Sequence, residues 1–260
     1  GWGGILAALP FAIWLYVCLE GVAMVAEEVK DEKKAIAKGY ISALLTLTVL
    51  ALAVMISVGG IAEWDKLDDL DYPLPESIGL VLGRDNPLTK LFASVGLFGL
   101  IASFHSIIIS YSRQIFALAR SGYLPTTLAL VSKSSQVPHV ALLVGATLGI
   151  LALLLLDTSK LIILSTIGAV VVYIISMLAL FKLRSSCPDM VRPFKAPFYP
   201  LFPAIALLLG LIALGAMIYF YSGLSLLFFG GLVTIITFFY ASGRHRRKAQ
   251  AMHLWSKDPS

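Results

Sequence analysis

Charge is what this chain has least of. Only 13 % of its 260 residues are Asp, Glu, Lys or Arg, where a soluble domain carries about 25 %. A water-facing surface cannot be covered with so little charge. With 58 % hydrophobic residues and a mean hydropathy of +0.89, the chain reads as an integral membrane protein. Cysteine is also scarce: Cys18 and Cys187 make no disulfide framework. The repeated alternating segments of about ten residues that mark a membrane barrel are missing. No spacing of His, Cys, Asp and Glu suggests a metal site. The start lacks an initiator methionine and a cleavable signal peptide. It opens GWGG and enters an apolar run almost at once, which reads as a fragment of a longer polypeptide.

What is there is a series of seven apolar runs, all reading as helices, at about 5–26, 36–62, 90–112, 138–156, 160–182, 201–220 and 223–241. About 20 apolar residues cross a hydrocarbon core about 30 Å thick. The connection 63–89 is acidic, contains Pro73 and Pro75, and reads as a structured external loop. In 113–137 the stretch RQIFALARSGYLP reads as a short helix lying at the interface, ending at Gly122 and Pro125. Pro188, Pro193, Pro197 and Pro200 make 183–200 extended rather than helical. Residues 242–260 form a polar tail.

Orientation follows from the basic residues. If the first span exits into the cytoplasm, sixteen Lys and Arg lie inside and four (Lys66, Arg84, Lys90, Lys160) outside. The N-terminus of this chain is then outside the cell membrane and the C-terminus cytoplasmic. The run RHRRK at 244–248 follows an apolar span and reads as a clamp on anionic headgroups of the lipid bilayer. Nucleic acid is excluded as a partner, since nothing supplies a stacking or groove-reading element.

Seven spans with the N-terminus outside is also a receptor layout. The last run has no lysine for a retinal Schiff base and no proline for a receptor-type break, and the two cysteines are misplaced for an external disulfide. Enzyme chemistry has little support: a Cys18–His105 nucleophilic pair lacks a third orienting group and an oxyanion site.

Several residues are out of place in apolar spans. Glu20 lies seven residues before the charged exit EEVKDEKK, about 10 Å along a helix. An acid at such depth costs roughly 2.5–3.5 kcal/mol on insertion scales, so it faces a polar cavity or a partner. Either the span breaks at Glu20 and Gly21, or it runs straight and Glu20 bonds a neighbouring helix. Broken spans expose backbone groups that transporters use to hold substrates and ions. Trp14, one turn before the 17–21 stretch, suits a cation–π contact with an ammonium, worth about 2 kcal/mol when desolvated. It is about ten residues into the span, deep for an interfacial tryptophan. Cys18 can line a pocket as a small side chain. In the third span Ser103, Ser106 and Ser110 share a helical face, as does ordinary close packing near Gly96 and Gly99. His105 either relays a proton or simply bonds a carbonyl. Ser165, Thr166, Tyr173 and Ser176 are further polar residues of the fifth span, and Gly145 with Gly149 makes a helix-packing step in the fourth.

The loops carry a family resemblance. EEVKDEKKAIAKG after the first span, SRQIFALARSGYLP after the third, VPHVALL opening the fourth and RPFKAPFYPLFP before the sixth resemble the amino acid–polyamine–organocation permeases, in that family's order and spacing. Within the family, PFAIWLYVCLEGVAMVAEEVKD looks most like bacterial ethanolamine permeases. The resemblance implies an all-α membrane fold of two inverted five-helix repeats followed by two extra helices. This chain would supply the sixth to twelfth helices: the second repeat over 1–182, the extra pair over 183–241 and a cytoplasmic tail over 242–260. The first repeat, part of the same polypeptide, would be missing.

It further implies alternating-access transport of a small amine solute, ethanolamine or an amino acid, driven by a proton or sodium gradient with no cofactor. The substrate site would use Trp14, Val17, Cys18, Glu20 and Gly21 at the broken sixth helix, with Ser103, Ser106 and Ile107 from the eighth. Glu20 and His105 would serve gating or proton coupling. Many relatives have glycine at the position of Cys18. Two readings stay beside this one: a truncated, non-transporting membrane partner, and the seven-helix receptor.

Overall fold

A computed structural model describes residues 1–19, 21, 32–61, 73–132, 134–190, 192, 196 and 198–241. These residues are mostly helical, with no strand among them. The helices are α1 (Trp2–Trp14), α2 (Glu32–Ile61), α3 (Pro73–Leu82), α4 (Pro87–Arg120), α5 (His139–Leu155), α6 (Thr158–Ser186), α7 (Leu201–Phe220) and α8 (Ser222–Ala241). Five are long and apolar enough to cross a bilayer: α2 over Ala35–Ile61, α4, α6, α7 and α8. The protein is an all-α, multi-pass membrane protein. Helices α1 and α5 are apolar but shorter, at 13 and 17 residues. The apolar run that begins in α1 continues into residues outside the described ones.

The chain forms two compact units, one of Gly1–Cys18 with Tyr111–Ser260 and one of Leu19–Ser110. The first is built around α6. Its Ile163, Ile167, Val170 and Ile174 recur at three- and four-residue spacing, so they make one buried stripe. Ala213 and Met217 of α7 close that stripe, and Leu9 and Ile13 of α1 with Leu224 and Phe228 of α8 pack around it. Asp157 caps α6, its carboxylate accepting from the Lys160 amide at 2.8 Å and the Lys160 ammonium at 2.6 Å. After α6, the Arg192 guanidinium donates to the carbonyls of Cys187, Pro188 and Met190 at 2.5, 2.9 and 2.9 Å. The Arg184 guanidinium lies 4.3 Å from the Tyr199 ring centroid.

Two expectations for the connections change, at 113–120 and at 183–186, where the chain ends α6 rather than running extended, because the first proline comes only at Pro188. The structured loop expected over 63–89 contains α3, and both its prolines fall in the first turn, where backbone N–H groups have no helical acceptor to lose. Glu76 in that turn complements the positive helix end and pairs with Arg84. The helix stops at Gly83, whose φ of 92° suits glycine. The stretch 113–120 is no separate interfacial helix but the last two turns of α4. Nothing in SRQIFALAR interrupts helix geometry. The end comes at Gly122 (φ 81°), where Gly122 N–H donates to Ala119 and Tyr123 N–H reaches back to Leu118, both at 3.0 Å.

In the Leu19–Ser110 unit, α2 packs on α3. Large apolar side chains of α2 and of the first part of α4 stay exposed, such as Ile56 at 70 % and Phe98 at 71 %. Apolar faces of this extent belong against lipid or other spans.

Candidate functional site

Helix α1 carries Pro10, which cannot supply the N–H that normally serves the Leu6 carbonyl. The helix ends at Trp14, and residues 15–19 run in turns closed by Tyr16 N–H to Ile13 (2.9 Å) and Val17 N–H to Trp14 (3.1 Å). Helical geometry thus stops three residues before the 17–21 stretch on which the sequence places the break. Cys18 has a φ of 72°, in the left-handed region that penalises a side chain. Trp14 and Cys18 are both exposed and Val17 is half-buried. These three fall in the unit built around α6.

The remaining candidates fall in the Leu19–Ser110 unit. Gly21 approaches α4 closely: a Cβ there would lie 3.1 Å from the Ser110 hydroxyl. Glu20 lies outside the described residues. Ser103, His105, Ser106 and Ile107 belong to α4, the first three exposed and Ile107 still 38 % exposed. Two of their polar groups are served within the helix, His105 Nδ1 standing 3.0 Å from the Ile101 carbonyl and Ser106 donating to Ala102 at 3.2 Å. Ser176 likewise donates to the Val172 carbonyl at 2.8 Å.

Thr166 of the fifth span has a cross-helix role. It is fully buried, and its hydroxyl lies 2.8 Å from the Ile162 carbonyl and 3.2 Å from that of Pro10. Three residues earlier on α1, the Ala7 carbonyl accepts from the Tyr221 hydroxyl at 2.7 Å. Ala7 and Pro10 share a face, so α1 is held to α6 and to the α7–α8 junction by hydroxyls as well as by Leu9 and Ile13. Tyr221 gives no such signal in sequence, because a tyrosine closing an apolar run also fits a membrane boundary.

In the same unit Tyr111 of α4 meets α5, and Gly145 supplies the space for its ring. A Cβ added at Gly149, its partner in the predicted packing step, would meet nothing within 4 Å among the described residues outside its own helix. No group of three or more His, Cys, Asp or Glu side chains among the described residues is placed to hold a metal ion.

Comparison with known proteins gives the architecture its context. A branched-chain amino acid permease of Bacillus subtilis is 27 % identical over 208 residues, covering 80 % of this chain and 44 % of the relative. A methylthioribose transporter of the same organism is 26 % identical over 208 residues, with 79 % and 44 % covered. A branched-chain amino acid permease of Lactococcus lactis is 23 % identical over 264 residues, with 95 % and 52 % covered. The chain spans about half the length of the curated relatives it matches. The family model described as amino acid permease matches residues 1–246, nearly the whole sequence. This chain therefore belongs to the amino acid permease family, within the amino acid–polyamine–organocation superfamily.

Proposed function

We propose that these residues form part of a secondary active transporter that carries a small amine-bearing solute across the cell membrane by alternating access. The observation that carries this reading is the interrupted first span. An apolar helix stops at Trp14, turns follow through residue 19, and Cys18 adopts left-handed backbone. Backbone freed from helical pairing inside a membrane protein is tolerated only where it is buried in protein or lines a cavity, and in transporters such segments hold substrate. Trp14 stands over the cargo ammonium, while Val17, Cys18, Glu20 and Gly21 supply the break. Ser103, Ser106 and Ile107 of α4 are the further substrate-lining residues. Glu20 and His105 are the gating or proton-coupling groups, and a proton or sodium gradient drives uptake.

Cargo identity does not transfer from the relatives, because proteins of similar identity are named for branched-chain amino acids and for methylthioribose. The resemblance of residues 10–31 to ethanolamine permeases favours ethanolamine, with an amino acid as the other candidate. The transporting unit pairs this five-helix repeat, residues 1–182, with an inverted first repeat, and residues 183–241 add two helices.

The test is uptake of radiolabelled ethanolamine and of common amino acids by the native polypeptide in proteoliposomes, with and without imposed proton and sodium gradients. Cargo accumulation that collapses with one gradient is expected. Trp14→Ala should weaken apparent affinity, by about tenfold for each 1.4 kcal/mol that the cation–π interaction supplies. Uptake of an amino acid but not of ethanolamine removes the ethanolamine assignment alone. A folded, reconstituted protein that accumulates neither sinks the transporter reading.

A further inference from the structure

The Thr166 hydroxyl stands within reach of two carbonyls but has a single proton to give. Its own helix offers Ile162 at 2.8 Å, and α1 offers Pro10 at 3.2 Å. The first distance is that of a well-formed O–H···O bond, and the second is longer than the usual range. A fully buried hydroxyl left without an acceptor is costly. Here that cost does not arise, since rotation about the Cβ–Oγ bond re-aims the O–H between the two carbonyls.

We propose that Thr166 is a two-position hydrogen-bond switch that lets α1 dock on α6 and leave it without stranding a buried donor. The inference rests on the alternating-access reading, which requires some helices to move against others. The neighbourhood suits a separable contact. Pro10 has already removed one backbone bond from α1, so the helix is weakened at the turn that Thr166 addresses. Leu9 and Ile13, on either side of Pro10, are only partly buried against the α6 stripe. The Tyr221 bond to Ala7 provides a second hold one turn away. When α1 departs, Thr166 bonds Ile162 fully, and α6 keeps its buried polar group satisfied. When α1 returns, the hydroxyl is again shared with Pro10, at the 2.8 and 3.2 Å found here.

The experiment is amide hydrogen exchange of α1 in the native polypeptide, reconstituted in lipid nanodiscs and read by mass spectrometry, with uptake measured in parallel. Thr166→Val keeps the shape and removes the donor. Exchange across α1 should rise about three- to tenfold, as expected for removal of one hydrogen bond that opposes local opening, and turnover should change. Thr166→Ser keeps the donor and should restore both. If Thr166→Val fails to reach the membrane, Thr166→Ala serves in its place, still against Thr166→Ser.

A wild type that transports, with α1 exchange and turnover unmoved by removal of the hydroxyl, overturns the switch. So does a Thr166→Ser protein as loose as Thr166→Val. A wild type that transports nothing, while removal of the hydroxyl still loosens α1, fails the functional reading and supports the docking bond.

Discussion

The Tyr111 hydroxyl donates to the Leu142 carbonyl at 3.0 Å while its ring occupies the space above Gly145. A Cβ at Gly145 would lie 2.2 Å from that ring, nearer than real contacts allow. One aromatic residue thus fixes the spacing of α4 and α5 through both shape and a polar bond. Gly145→Ala should cost about 1–3 kcal/mol through overpacking. Tyr111→Phe should cost about 0.6 kcal/mol, the average for interhelical hydrogen bonds in a membrane. A double-mutant cycle on thermal unfolding in detergent checks the pair: the alanine should be far less damaging once Tyr111 is also cut to alanine. Additive effects would show that the two residues do not share the contact.

Cys18 gives a second prediction. A non-glycine residue in the left-handed region costs roughly 1–2 kcal/mol, and Cys18 has a φ of 72°. Cys18→Gly should stabilise the protein by about that amount, and Cys18→Val should destabilise it, because a β-branched side chain fits this backbone worst. Thermal midpoints of the purified variants decide. A glycine variant less stable than wild type would mean that the thiol makes contacts outweighing the backbone penalty.

Asp157 sets a pH dependence. Hydrogen bonding to Lys160 holds its carboxyl below the usual carboxylate range. A carboxylate with a lowered folded-state pKa stabilises above its unfolded value, near 3.9, and that stabilisation disappears as pH falls through the folded value. Asp157→Ala should therefore lower the thermal midpoint at neutral pH, and the gap to wild type should close only below about pH 4. A gap that closes already between pH 7 and 5 would point to a different titrating group.

Orientation is tested by thiol labelling. With Cys18 and Cys187 replaced, a cysteine at Asp85, in the loop between α3 and α4, should react with an impermeant reagent on intact cells. One at Ser135, in the loop before α5, should react only after the membrane is opened. The reverse pattern sinks the sixteen-to-four assignment.

Much of the helix framework was legible in the sequence because apolar runs in a membrane protein have sharp polar edges. The run expected at 201–220 matches α7 residue for residue, and 223–241 differs from α8 by one. The reading failed where a signal had two meanings. The basic residues of 113–120 look interfacial although they continue α4, and the prolines of 183–200 suggest extended chain although 183–186 still belong to α6. In the candidate site, the sequence pointed to a break over 17–21, and helix α1 stops three residues before that stretch. The contacts holding α1 were not legible. A hydrogen bond from Tyr221 to a backbone carbonyl 214 residues earlier leaves no trace in local pattern, since any residue can supply the acceptor.

Arg192 shows how one charge can be used twice. In the folded protein its guanidinium is spent on the Cys187, Pro188 and Met190 carbonyls, a knot that ties Arg192 back to the residues just after α6. During synthesis that knot does not yet exist, and under the proposed orientation the same cation helps retain its loop on the cytoplasmic face. The two uses have different chemical requirements. A lysine at position 192 would serve the insertion machinery equally well, but a point charge on a flexible stem cannot fan out to three carbonyls as a planar guanidinium does. Threading the membrane asks only for the charge; finishing the loop asks for arginine.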